Sequence, residues 1–363
     1  MTTDKYDFDA LIVGLGLAGC LISWQYLCQG KKVLTVEPGD PGAASQVAPG
    51  VINPVAGKRL KPSWRVTEQL PFAIETYRTL EQELGVEFYH EKPIVRIIKD
   101  AQQQTFLQKR REDPVAKNFI GEEHEPGWRP ELFRDPLGSF VAKSSGHLDI
   151  PVFSSSYRQY LEEKGLLIKE ALDYEDIQLT EDGGVIWKEK SFKCIIFCEG
   201  WKGSKNPWFN KVAFKPAKGE MLTIEVEDDV DLPNAIINRG KWLLPYEGKK
   251  CLAGASYSWK PLDSIPTEKA ESQILGMLSE FLNLKHLKVI DHKAGVRPIV
   301  RDYRPAMGRH PVYPQLVFFN GLGSKGVLSG PWLSNCLARH LLEDVPLPKE
   351  TQVNRFFKNK KNK

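Results

Sequence analysis

No pair of cysteines in this 363-residue chain has CxxC spacing, and no histidines fall at metal-ligand intervals beside cysteines or acids. No apolar run approaches the roughly 18 residues that a bilayer span requires. The six cysteines, Cys20, Cys28, Cys194, Cys198, Cys251 and Cys336, stand mostly among apolar residues, where a thiol packs as a small hydrophobe. Reduced thiols, no metal site, no membrane partner and a cytoplasmic location are the expectations. The opening MTTDKYDFD lacks a cationic region, and there is no low-complexity block. A strong charge of one sign is missing too. The formal net charge is +4, but Arg355, Lys358, Lys360, Lys361 and Lys363 supply five positive charges in the tail 351–363, leaving about −1 on the body. A near-neutral body gives no electrostatic footprint for nucleic acid, and the basic tail reads as a solvated end.

What is present suits a globular enzyme. At this length two domains are expected, each with room for a core, and 41% of the residues are hydrophobic. Phe8 to Gly14 reads as a buried strand, Gly16 to Gly30 as a helix closed by glycine, and Lys31 to Glu37 as the next strand. Pro38 to Trp64 reads as a long functional loop, Thr67 to Gly85 as a helix. Strand-like residues from Phe88 to Lys99 and a polar helix near Gln102 to Arg111 mark a change of character. A helix over Ser154 to Gly165 and a hairpin over Gly184 to Gly200 suggest a return to the first domain. Four antiparallel strands between Gly219 and Trp259, with a helix around Thr267 to Leu282, suit a substrate-side sheet. Leu316 to Leu342 repeats the strand, glycine turn and helix plan of the N-terminus.

Gly14, Gly16 and Gly19 form GxGxxG between strand and helix, and Glu37 ends the next strand. Gly14 permits the tight turn, Gly16 lets the backbone approach a pyrophosphate, and Gly19 lets helix and strand pack closely. Glu37 can accept both ribose hydroxyls of an adenosine. NAD and FAD share this fingerprint. A second glycine-rich helix start, Gly321 to Pro331, can aim amides and a positive dipole end at the anionic edge of a reduced flavin. The same residues also read as a plain turn.

The ordered set of segments resembles the D-amino-acid oxidase and glycine oxidase family of FAD-dependent oxidoreductases. The likeness runs through IVGLGLAG with Glu37, GAASQVAPGVINP, SGHLDIPVF, IIFCEGW, KPAKGEML, GASYSW, AGVRPIVRDYRPAMG and FFNGLGSKGVLSGP. Within the family, GASY, GVR followed by RD, and GLGSKG are similar to the oxidoreductase half of the bifunctional enzyme that modifies wobble uridine in tRNA, with Lys325 where that enzyme has arginine. No methyltransferase half precedes these segments and the body is not basic, so tRNA is not the favoured partner.

The resemblance implies an α/β chain, α+β overall, with a two-domain FAD-binding Rossmann-type fold and an antiparallel-sheet substrate domain. Residues 1–85, 145–215 and 290–350 would form the FAD domain, 86–144 and 216–289 the substrate domain. It implies FAD contacts at Gly14, Gly16, Gly19 and Glu37, at Ala44, Ser45 and Gln46, at Gly200, and at Gly323, Ser324, Lys325 and Gly326. AGVRP holds no cysteine for covalent attachment, so the FAD is expected to be non-covalent. Arg297 would face the substrate, because its planar guanidinium can hold a carboxylate bidentately. The alternative for Arg297 is an ion pair with Asp302. Tyr257, Trp259 and Tyr246 are candidate pocket walls, with Tyr257, Ser324 and Lys325 joining Arg297 as catalytic candidates. The expected activity is oxidation of the C–N bond of a small amine or amino acid with dioxygen as acceptor. The alternatives are removal of a carboxymethyl group from a modified tRNA wobble uridine, or a flavoprotein subunit without turnover. The oligomeric state is not fixed by these residues.

Overall fold

The structure, a computed structural model, describes residues 5–40, 42–227 and 229–357. The tail lysines from Lys358 onward lie outside the described residues. The chain opens with β1 (Phe8–Val13), α1 (Leu17–Cys28) and β2 (Val33–Val36). β1 has parallel neighbours on both sides, and its apolar run ALIV is buried as such a position demands. The expected loop from Pro38 to Trp64 instead carries a short helix α2 (Ala44–Val47), a strand Val51–Ile52 and a paired Val55–Ala56 and Lys61–Pro62. Elements this short show no period in a sequence.

Helix α3 (Val66–Leu84) follows, with Pro71 inside it, and then α4 (Ile150–Glu163). α4 starts four residues before the expected Ser154. Asp149 Oδ1 accepts from Val152 N at 3.0 Å and Pro151 sits in the first turn, both regular helix-start signals that sequence reasoning passed over. The remaining elements that shape the site are β3 (Lys190–Phe197), β4 (Ala217–Val226), β5 (Trp242–Glu247), β6 (Lys250–Gly254), α5 (Glu268–Ser279), β7 (Leu287–Arg297), β8 (Leu316–Asn320) and α6 (Gly326–Glu343).

Two eight-stranded sheets result. In the first, Leu167–Ile168, β2, β1, β3 and β8 run parallel, and Val185–Trp187 folds back on β3 as the expected hairpin. α1 and α6 cover one face, burying Ile22, Tyr26, Leu333 and Leu337 against Ile12, Ile196, Val317 and Phe319. Each such apolar side chain contributes roughly 1.5–3 kcal/mol when removed from water. The two helices touch closely: a Cβ on Gly330 would come within 2.7 Å of Leu21 Cδ1. α3 joins them through Tyr77, whose hydroxyl donates to Val327 O at 2.8 Å.

The second sheet has the order β7, β4, β6, β5, Ile236–Asn238, Ile94–Ile97, Ser139–Ala142 and Ile120–His124. It is larger than the four antiparallel strands expected, and one pair, Ile236–Asn238 with Ile94–Ile97, is parallel. β7 pairs along β4, so residues 290–297 lie in this sheet rather than the first. α5 covers the sheet with Ile274 and Leu278. A three-stranded sheet of Val51–Ile52, Gly146–Leu148 and Tyr89–Glu91 lies apart from both. Among the described residues no helix is long and apolar enough to cross a membrane.

Candidate active site

The C-terminal ends of β1, β2 and β3, the starts of α1, α2 and α6, and the β4 and β7 strands of the second sheet enclose a cavity of about 700 Å³. Ligands of open parallel sheets bind at these strand ends. At one end stand Gly14, Gly16, Glu37, Ala44 and Ser45. Gly14 has φ +93°, and a Cβ there would meet Cys198 O at 2.7 Å. Gly19 does not line the cavity; it lies behind, where a Cβ would fall 1.9 Å from Gly14 O. That contact allows α1 to begin directly over β1. Glu37 is held by two backbone donors, Leu15 N at 2.7 Å and Gly39 N at 2.9 Å, which fixes its carboxylate at the end of β2.

Helix starts carry a second signal. α1, α2 and α6, which border the cavity, have no side-chain cap, as α3 has none, whereas α4, which reaches the cavity with Ile150, is capped by Asp149. The first N–H groups of α1, α2 and α6 are thus left for another acceptor, the arrangement that receives a phosphate or other anion. Glycines that a Cβ would fill, a fixed carboxylate and uncapped amides fit an FAD: Gly14, Gly16, Glu37, Ala44 and Ser45 would hold its nucleotide part, and Gly323 to Gly326 its far end.

Three lining residues at the nucleotide end were not foreseen: Leu172, Tyr174 and Glu199. Glu199 accepts from the Tyr174 hydroxyl and, at 2.9 Å, from Asn206 Nδ2. Burial pushes its carboxyl up, and those two hydrogen bonds pull the other way. The acid between Cys198 and Gly200 at the end of an apolar strand was the available signal. Lys202 Nζ meets Asp40 Oδ2 at 2.6 Å, and both line the cavity.

The other end is made by Gly219, Glu220, Met221, Trp242, Ser256, Tyr257, Arg297 and Lys325. Arg297 ends β7, and its guanidinium lies over Gly219, where a Cβ would come within 2.0 Å of Nη2. Nη1 donates to Lys218 O and Nη2 to Ser256 O, both at 3.3 Å, and the Tyr257 ring stands 5.3 Å from Cζ. Among the described residues no carboxylate lies within ion-pair distance of Arg297. The expected alternative partner, Asp302, is taken by Arg355, with Nε to Oδ2 at 2.8 Å. Burial lowers the Arg297 guanidinium from its usual range. Lys325 Nζ donates to Ser63 Oγ at 2.8 Å; burial lowers its ammonium, and the nearby Arg304 charge acts in the same direction.

Of the candidates named from sequence, the cavity wall brings together Gly14, Gly16, Glu37, Ala44, Ser45, Gly200, Tyr257, Arg297, Gly323, Ser324, Lys325 and Gly326. Gln46 is not in the wall. Tyr246 is exposed, beside a register shift in β5, and points elsewhere. Trp259 also stays out, packing edge-on to Tyr257 with ring centroids 5.0 Å apart and under Lys215 Nζ at 4.1 Å. Tyr257 and Trp259 belong to the loop after β6, not to a strand. Trp242, at the start of β5, takes the walling role expected of Tyr246.

Residues 9–340 match the family described as DAO, FAD dependent oxidoreductase. Glycine oxidase of Bacillus subtilis is 22% identical over 356 residues, covering 90% of this chain and 91% of that one. A tRNA 5-methylaminomethyl-2-thiouridine biosynthesis bifunctional protein of Shewanella baltica (strain OS195) is 29% identical over 216 residues, 48% of this chain; the match spans only 30% of that longer protein. Among solved structures, glycine oxidase from Bacillus cereus superposes with a TM-score of 0.79 at 20% identity, over 94% of this chain and 96% of that one. The iminodiacetate oxidase of Chelativorans sp. BNC1 gives 0.80 at 19%, over 94% and 98%.

Proposed function

The chain belongs to the FAD dependent oxidoreductase family, and from that premise we propose that it oxidises the C–N bond of a small carboxylated amine or amino acid, with dioxygen as the acceptor. The observation that carries the reading is Arg297: a cavity-facing guanidinium with carbonyl partners only, at the opposite end from the glycine fingerprint. When bound, FAD supplies a two-electron acceptor for the substrate's C–H and C–N unit.

The chain's own part is placement and electrostatics. Arg297 presents two parallel N–H groups to a substrate carboxylate, and with the carboxylate fixed the α-carbon has few orientations left. Met221, Trp242 and Tyr257 exclude water around it. The Tyr257 ring, 5.3 Å from the guanidinium carbon, adds a cation–π contact to the packing of that group against Gly219. The uncapped start of α6 and the Lys325 ammonium set positive potential on the facing wall, which favours negative charge developing there. No side chain among these need act as a proton acceptor if the amine enters neutral.

The test is an anaerobic screen of amines and amino acids against the FAD-loaded protein, read as loss of visible flavin absorbance. Bleaching by a carboxylated amine, and not by the same amine lacking its carboxylate, is the expected result; no bleaching by any of them would sink the reading. The Shewanella relative favours a second reading, oxidative removal of a carboxymethyl group from a modified tRNA wobble uridine. That reading requires tRNA affinity with a steep salt dependence.

A further inference from the structure

The wall that carries Arg297 is braced from behind. Side chains along a strand alternate between its faces, so β4 turns Gly219 towards the guanidinium and sends Lys218 and Glu220 the other way, onto residues 263–267. Lys218 is only 1% exposed. Its ammonium meets Asp263 Oδ1 at 2.6 Å and also donates to Ile265 O. Glu220 accepts from Thr267 N at 2.6 Å and from Thr267 Oγ1 at 2.9 Å, and the same threonine caps α5. Lys218 Nζ lies 3.7 Å from Glu220, while His292 stands 3.1 Å from Glu220 and 3.5 Å from Glu271. The cluster therefore holds three carboxylates and a single ammonium. Lys218 is what keeps Asp263 beside Glu220, and its hydrogen bond holds the Asp263 carboxyl below the usual range.

What this cluster fastens is the loop after β6, residues 255–267. The start of the loop is laid against β4 by backbone bonds: Ser256 N donates to Glu220 O at 3.0 Å, and Lys218 and Ser258 exchange N–H···O bonds of 2.8 and 3.0 Å. The end of the loop is held by the Lys218 and Glu220 side chains. Arg297 leans on both sides of this junction. Nη1 donates to Lys218 O and Nη2 to Ser256 O, each at 3.3 Å, and Tyr257 of the same loop stands 5.3 Å from Cζ. Both bonds are long for a charged donor, so the guanidinium keeps its aim only while the two carbonyls stay in place. A buried ion pair that loses one partner leaves the other charge uncompensated, and here the three carboxylates would be left to repel one another.

We propose that Lys218 is a positioning residue for substrate binding: its buried pair with Asp263, behind the wall, fixes the junction of strand and loop whose two carbonyls aim Arg297 at the substrate carboxylate. Lys218 is not part of the cavity wall and acts only through Arg297. The proposal rests on the reading of Arg297 as the carboxylate receptor. It requires a split that a general loss of stability would not give. Affinity for a carboxylate falls when the brace is cut, and affinity for FAD, set at the nucleotide end, does not.

Propionate is titrated into the FAD-loaded full chain and read by the change in visible flavin absorbance, and FAD is titrated into the same proteins freed of it. Lys218→Met should bind propionate about tenfold more weakly with FAD affinity within about twofold of the wild type, and Lys218→Arg should restore propionate binding. Asp263→Ala cuts the brace from its 33% exposed side and should weaken propionate by at least about threefold, again with FAD affinity kept. This second variant decides if the methionine variant does not fold. Propionate affinity unchanged in the folded variants overturns the proposal and leaves Arg297 as the receptor. An equal loss of propionate and FAD affinity also overturns it. A wild type that takes up no propionate sinks the reading of Arg297 itself, and the proposal with it.

Discussion

The two ends of the cavity are made of different material. The nucleotide end is backbone: glycines at 14 and 16 with Gly19 behind them, uncapped helix starts, and a single carboxylate, Glu37, fixed by two N–H donors. The substrate end is side chain: Arg297, Trp242, Tyr257 and Lys325, drawn from separate strands and loops. A backbone site tolerates no change at the positions where a Cβ collides but is indifferent to most others. A side-chain site can be retuned one residue at a time, which is how one fold serves many substrates.

Mutations that break this contrast should have unequal effects. Gly14→Ala would put a methyl 2.7 Å from Cys198 O at φ +93°. It should yield colourless protein with FAD affinity lowered by more than about 100-fold, read by titration alongside circular dichroism. Arg297→Ala should keep its yellow colour yet lose about 1000-fold in kcat/KM on carboxylated amines, about 4 kcal/mol, with Arg297→Lys recovering part. Unchanged kinetics would remove Arg297 from the site.

Acid offers a sharper comparison. His147 pairs with Val51, next to Gly50 in the cavity wall, and burial pushes its imidazole down to about 4. The folded state therefore binds this proton less readily than the unfolded chain. Stability is intact above pH 6.5 and is lost as pH falls from about 6.5 to about 4, by roughly 3 kcal/mol. Denaturant titrations of the wild type and His147→Phe should diverge over that window, the variant being the less sensitive. The smallest effect is expected from Lys202→Ala. Its ion pair with Asp40 is half exposed, so FAD affinity should fall by less than about fivefold, and less still in high salt.

Legibility followed the same division. Glycine positions, the acid after β2 and the strand, turn and helix order are local, so GLGLAG and Glu37 pointed to one end of the cavity wall and GLGSKG to the other. The elements of the second sheet were harder. Ile94–Ile97 and Ile236–Asn238 are neighbours only through pairing between distant segments, and no periodicity reports that. Tyr246 was singled out in KWLLPYEG and Trp242 was not, although the two share strand parity; the shift of register after Pro245 separates them. Arg297 was legible as a residue, but its freedom depended on Arg355 claiming Asp302, a contact across 53 positions.

The close approach of the Arg297 guanidinium to Gly219 has an evolutionary corollary. Any side chain at 219 would evict the guanidinium, and any lineage that abandons the arginine no longer needs a bare backbone there. The two positions should therefore drift as a linked pair among homologues. A descendant carrying alanine or serine at 219 would be recognisable, from its sequence alone, as one that has given up anionic substrates.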